Sequence, residues 1–144
     1  KDISISSYFN EMRVIPVSIS YEFDPNDLNK ALEIYKKQQD GFYKKEAMED
    51  LESISRGISG FKGSVILKIG KQINFIHDSY EAVADEITKQ ISNQFHNHST
   101  NIDARSIIQN KINLSDNIYF SERLKNQPEG VIKIMLSQYA NSVL

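Results

Sequence analysis

Apolar and polar residues alternate from Ile15 to Phe23. Ile15, Val17, Ile19, Tyr21 and Phe23 fall on one side, and Pro16, Ser18, Ser20 and Glu22 on the other. A period of two is the signature of a strand with one apolar face, here expected over residues 14–23. Pro16 has no N–H to give a ladder, which places it at the strand's start, at a bulge or on an edge. A proline and two hydroxyls suit a face that meets a polar cleft or a neighbouring element, and a half-buried edge strand accounts equally for the pattern. A second strand is expected over residues 64–69, with Val65, Leu67 and Ile69 facing one way.

Helical periodicity fills most of the rest. Lys1 to Met12 reads as a strand end or a short helix. Asp24 is expected to cap a helix with Pro25 in its first position and Leu28, Ala31, Leu32 and Tyr35 on its buried face, running to about Gln39 before Asp40-Gly41 breaks it. A helix from about Lys44 carries Ala47, Leu51, Ile54 and Ile58 on one face and charges on the other. Asp78 with Glu81 forms an expected capping box for a helix bearing Tyr80, Val83, Ile87, Ile91 and Phe95. A polar loop from His96 to Thr100, a short helix from Asp103 to Lys111, an apolar island at Ile118, Tyr119 and Phe120, and a last helix from Pro128 with Val131, Ile132, Met135, Leu136 and Tyr139 complete the chain. About forty mostly helical residues separate the two strands. Such a crossover suits parallel pairing, with the strands as neighbours or one strand apart. The pattern thus predicts an α/β fold with a small parallel or mixed sheet and four or more helices.

Composition narrows the classes little. The chain has 144 residues, 40% hydrophobic and 25% charged, with a formal net charge of −2. That suffices for one domain or subdomain over residues 1–144, burying roughly 70% of its unfolded surface. A pI of about 5.9 gives no reason to expect nucleic acid as a partner. With no cysteine, a disulfide scaffold, a thiol nucleophile and a thiolate zinc site are excluded. No apolar run approaches the roughly 20 residues of a membrane span. Lys1 is not followed by a signal-peptide pattern, and the absence of an initiating Met leads us to expect a segment cut from a longer protein.

Several chemical motifs reduce to simpler readings. Gly57, Gly60 and Gly63 precede a strand rather than a helix, and no Gly-Lys-Ser/Thr follows, so a nucleotide loop is not expected. His96 and His98 lack a third metal ligand other than Asp103, and a solvated loop accounts for them. His77 beside Asp78 reads as a residue at a helix start. Lys62, Lys68 and Lys71 could form a basic strip toward phosphate or lipid headgroups, but a solvated strand edge is the plainer reading.

Val14-Ile-Pro-Val-Ser-Ile-Ser-Tyr21 resembles the Ile-Pro-Val block of the glycerolipid acyltransferases, which acylate glycerol-3-phosphate or lysophosphatidate. Phe23-Asp24-Pro25 with the Lys- and Glu-rich stretch after it, Gly57-Ile-Ser-Gly-Phe-Lys-Gly63 leading into a strand, and the ending Met135-Leu-Ser-Gln-Tyr-Ala-Asn141 are similar to a bacterial branch of that family, in the same order. The resemblance implies the C-terminal half of an acyltransferase-type α/β domain. It also implies that Val14, Ile15, Pro16 and Val17 contribute to substrate binding, with Ser18 as a cleft-facing hydroxyl. In the family a His-x4-Asp pair does the chemistry: His takes the acceptor hydroxyl's proton and Asp orients the imidazole, while the alkoxide attacks a thioester. Those blocks precede the Ile-Pro-Val strand, and no match precedes it here, so no catalytic residue is expected in this chain and alone it should be inactive. His98-Ser-Thr-Asn-Ile-Asp103 satisfies the spacing but follows the strand, so chance explains it. The resemblance further implies no cofactor beyond acyl-CoA or acyl carrier protein as co-substrate. The implied partners are the catalytic N-terminal half, phospholipid precursors and, through an open sheet edge, a second copy. The implied location is cytoplasmic, peripheral at the inner face of the plasma membrane. The alternative is a non-catalytic binding module that keeps the same C-terminal architecture.

Overall fold

The computed structural model describes residues 3–141. Among these residues seven helices and two strands appear in the order α1 (Ile5–Met12), β1 (Val17–Tyr21), α2 (Asp27–Asp40), α3 (Glu49–Ser59), β2 (Val65–Ile69), α4 (Tyr80–Gln94), α5 (Ser99–Ile108), α6 (Ile118–Arg123) and α7 (Glu129–Ala140), with a 3-10 turn at Leu114–Asp116. They fall into two compact units. One takes the chain up to Ser20 with Val65–His96, and the other Tyr21–Ser64 with the chain from Asn97 onward.

In the first unit β1 and β2 are direct neighbours in a two-stranded sheet. They run antiparallel, which corrects the expected parallel pairing. The Gly70 N–H donates to the Pro16 carbonyl at 2.8 Å and the Ile73 N–H to that of Val14 at 2.9 Å, so partners move in opposite directions along the chain. A long helical connection permits a parallel pair without requiring one, because two intervening helices can return the chain to the same end of the sheet. Pro16 immediately precedes β1, where its missing N–H costs no ladder bond. A small core of Ile73, Phe75 and Val83 is backed by Ile5, Phe9, Val14 and Ile87. Asn10 on α1 clamps the following segment, donating to the Phe75 carbonyl at 2.9 Å and accepting from its N–H at 2.8 Å. The expected cap of α4 shifts by one residue. Ser79 Oγ accepts from the Ala82 N–H, while Asp78 accepts instead from the Ser6 N–H at 2.8 Å, binding α1 to the start of α4.

In the second unit α7 packs against both α2 and α5. The core there comprises Ala31, Ala104, Phe120, Leu124, Val131, Met135, Leu136 and Tyr139. The α7 stripe read from the sequence is buried as expected, apart from the partly buried Ile132. The helix after β1 starts two residues later than expected. Asn26 stands at its N-cap, and Asp24 accepts from the Asn26 N–H at 2.9 Å, forming the turn before the helix. The polar stretch at His96–Thr100 is shorter as a loop than expected, because α5 already begins at Ser99, where Asn101 Oδ1 accepts from the His98 N–H at 2.7 Å. The apolar island at Ile118–Phe120 is the first turn of α6, capped by Asn117.

Candidate functional site

The sheet of the first unit has its polarity reversed. Ser18 and Ser20 are each 2% exposed, whereas Val17, Ile19, Val65, Leu67 and Ile69 are all between 43% and 69% exposed. From the Pro16–Gly70 bond, Val17 lies opposite Ile69 and Ile19 opposite Leu67. The outward side of the ladder is therefore continuous apolar surface. Gln94 at the end of α4 closes against Pro16 and Gly70 on the inner side: a Cβ built on Gly70 would lie 2.4 Å from Gln94 Nε2 and 2.8 Å from Pro16 Cγ. Small side chains at Pro16, Ser18 and Ser20 suit such close packing, and the large aliphatics are left to the other side.

The residues expected to bind substrate are distributed accordingly. The carbonyls of Val14 and Pro16 are used in the ladder, Ile15 and Val17 face outward, and Ser18 is buried. His98 is buried at the start of α5, and Asp103 Oδ2 accepts from Asn117 Nδ2 at 2.8 Å, so both members of the His-x4-Asp spacing sit in structural positions. His77 lies on the rim of a hollow of about 430 Å³ shared with Asp85, Glu86 and Lys89. Among the described residues no group of three or more His, Cys, Asp or Glu is arranged to hold a metal ion. None of their helices is long and apolar enough to cross a membrane.

The second unit contains a charged cluster that sequence reasoning missed. Asp27, the first residue of α2, is 1% exposed. Its Oδ1 accepts from Arg123 Nε at 2.9 Å, from Arg123 Nη2 at 2.7 Å and from the Leu28 N–H at 2.6 Å. Its Oδ2 accepts from the hydroxyls of Tyr119 and, at 2.9 Å, Tyr139. Tyr139 Oη in turn accepts from the Asp24 N–H at 2.9 Å. A carboxylate has only acceptor sites, and here five donors fill them, the condition under which a buried charge is tolerated. Burial, then the hydrogen bond to Asp27, pushes the Tyr119 phenol well above its ordinary value; burial and the Asp27 charge do the same to Tyr139. Burial opposes the charge of Arg123, but its hydrogen bond and attraction to Asp27 outweigh that and hold the guanidinium above its usual value.

Beside this cluster lies a cleft of about 390 Å³ whose walls include Phe23, Leu28, Phe61 and Tyr119, with Arg56 from α3 and Arg123 from α6. Phe23 and Phe61 stack with centroids 5.6 Å apart, and Phe23 and Tyr119 approach to 4.4 Å. The sequence signal for this site was faint. Asp27 follows a Pro-Asn turn and reads as one more solvent-facing helix-start acid, and Arg123 and Tyr119 lie over ninety residues away. Compared with protein-family models, with curated proteins and with solved structures, the chain matches none.

Proposed function

We propose that the chain is the C-terminal region of a glycerolipid acyltransferase, which moves a fatty acyl group from a thioester donor to glycerol-3-phosphate or lysophosphatidate. In this reading a segment N-terminal to Lys1 supplies the His-x4-Asp base. The family likeness of residues 14–25, 57–63 and 135–141 motivates the reading, and the reversed sheet of the first unit is the observation that carries it. A two-stranded ladder is marginal by itself, and its five aliphatic residues face outward at roughly half exposure. Fully burying such a side chain contributes about 1.5–3 kcal/mol, so covering the exposed half of five would add roughly 4–7 kcal/mol. A catalytic half laid on this face would gain that energy and bring its base next to residues 14–18.

The test is to read the coding sequence upstream of Lys1, then to express the protein with that segment and assay it with long-chain acyl-CoA and either acceptor. We expect an upstream His-x4-Asp block and acyl transfer by the longer protein but not by residues 1–144. The pair Ile19→Glu and Leu67→Glu should abolish transfer by the longer protein while residues 1–144 carrying it stay folded. An upstream sequence without the block, or a longer protein without transfer, would overturn the assignment in favour of a non-catalytic module that uses the same face to dock a partner.

A further inference from the structure

We propose that the cleft between α3 and α6 in the second unit binds an organic phosphate, with its phosphoryl group on Arg56 and Arg123 and its apolar part against Phe23 and Phe61. This assignment stands apart from the acyltransferase reading and does not depend on it. Arg123 binds Asp27 through Nε and Nη2, and Nη2 also reaches the Pro25 carbonyl at 3.3 Å. Among the described residues its Nη1 has no hydrogen-bond partner, and the buried carboxylate fixes the guanidinium plane, so a side chain that lines the cleft keeps a spare donor and loses little freedom on binding. Arg56 touches Asn26 Oδ1 by a single long contact of 3.4 Å, which leaves its other donors for a ligand. No carboxylate is among the described residues lining the cleft. Asp27 balances one of the two guanidinium charges, and Asp24 is engaged by Lys30 at 2.6 Å, so the cleft keeps the excess positive charge of Arg56. Paired guanidinium forks match phosphate oxygens in geometry and charge.

The aromatic wall defines the rest of the ligand. The Phe61 ring is 78% exposed although it stacks on Phe23. Inorganic phosphate would leave that surface wet, whereas a ligand with a ring or a short chain would cover it. The two sources of such a ligand, a nucleotide and a lysophospholipid, share this chemistry and differ in whether the apolar part is a ring or a chain.

Amide chemical-shift titration of the whole chain tests the site, using adenosine monophosphate, a short-chain lysophosphatidate and inorganic phosphate. We expect saturable shifts at residues 23–29, 56–61 and 119–123, with at least one organic phosphate binding more tightly than inorganic phosphate. The tighter of the two organic ligands identifies the apolar part. Arg56→Gln, at a position with one weak internal contact, should weaken every phosphate by roughly tenfold or more, the loss of a charge-assisted contact. Phe61→Ala should weaken the organic phosphates and leave inorganic phosphate unchanged. Absence of saturable shifts in this cleft, or affinities untouched by Arg56→Gln, would overturn the assignment.

Discussion

The Asp27–Arg123 pair offers a quantitative test of what holds the second unit together. In Asp27→Asn the amide can present its oxygen to Arg123 and its NH2 to the tyrosines, whose hydroxyls can turn to accept. Geometry is kept, but the countercharge of Arg123 is lost. Removing one partner of a buried ion pair costs about 3–5 kcal/mol. The Arg123 side chain is 36% exposed, so water recovers part of its solvation, and we place Asp27→Asn at the lower limit, about 3 kcal/mol. In Arg123→Gln the orphan is Asp27, whose side chain is only 1% exposed. That variant should cost more, about 4 kcal/mol. The double variant leaves no unpaired charge, so its loss should fall short of the sum by about 2–3 kcal/mol. Urea unfolding followed by far-ultraviolet circular dichroism and tyrosine fluorescence measures all four proteins. At a slope of about 2 kcal/mol per molar, a loss of 3 kcal/mol moves the midpoint by about 1.5 M. Additivity of the two single effects to within about 0.5 kcal/mol would refute the view that the two charges stabilise each other.

Further outcomes follow from other parts of the molecule. Tyr119 and Tyr139 have phenols raised above their ordinary values, so the unfolded chain releases their protons first. Their contribution to stability should therefore be fully present at neutral pH and be lost as pH rises above about 10, by up to about 2.7 kcal/mol per pH unit for two groups. Urea midpoints between neutral and strongly alkaline pH would reveal the slope, which Tyr119→Phe should roughly halve; an unchanged slope in that variant would contradict the role given to its phenol. Gly63 has φ +61°, and a Cβ there would meet Glu22 Oε2 at 2.5 Å and the Phe23 ring at 2.6 Å, whereas Gly41 at φ +76° has open space around it. Gly41→Ala should thus cost only the left-handed penalty of about 1–2 kcal/mol, and Gly63→Ala clearly more, in paired thermal melts. Leu67→Glu on the outward sheet face should change the stability of residues 1–144 by no more than about 0.5 kcal/mol and raise their solubility; a larger loss would mean that the chain already covers this face itself.

How far the sequence can be read depends on how local each decision is. Period-two alternation in Val17–Tyr21 and Val65–Ile69, the stripe of α7, and the breaks at Gly41 and Pro128 depend on residues within a few positions of one another, and all were legible from the chain alone. Helix starts slipped by one or two residues at Asp24-Pro25-Asn26-Asp27 and Asp78-Ser79, while α5 began four residues before the expected Asp103 and α3 about five after the expected Lys44, because several residues can close each turn and only the neighbouring elements choose. Strand direction was not local: the helices between the strands allow either sense, and the packing of the returning chain decided for antiparallel. Nor was the orientation of the sheet. Alternation shows that Ile19 and Ser20 face opposite ways, but only tertiary structure shows that the serine is covered and the isoleucine bare. The Asp27 cluster lies furthest from what the sequence by itself determines. Its donors come from α6 and α7, about a hundred residues along, and a carboxylate reads as a solvated charge until the fold supplies the guanidinium and phenols that allow it to be buried.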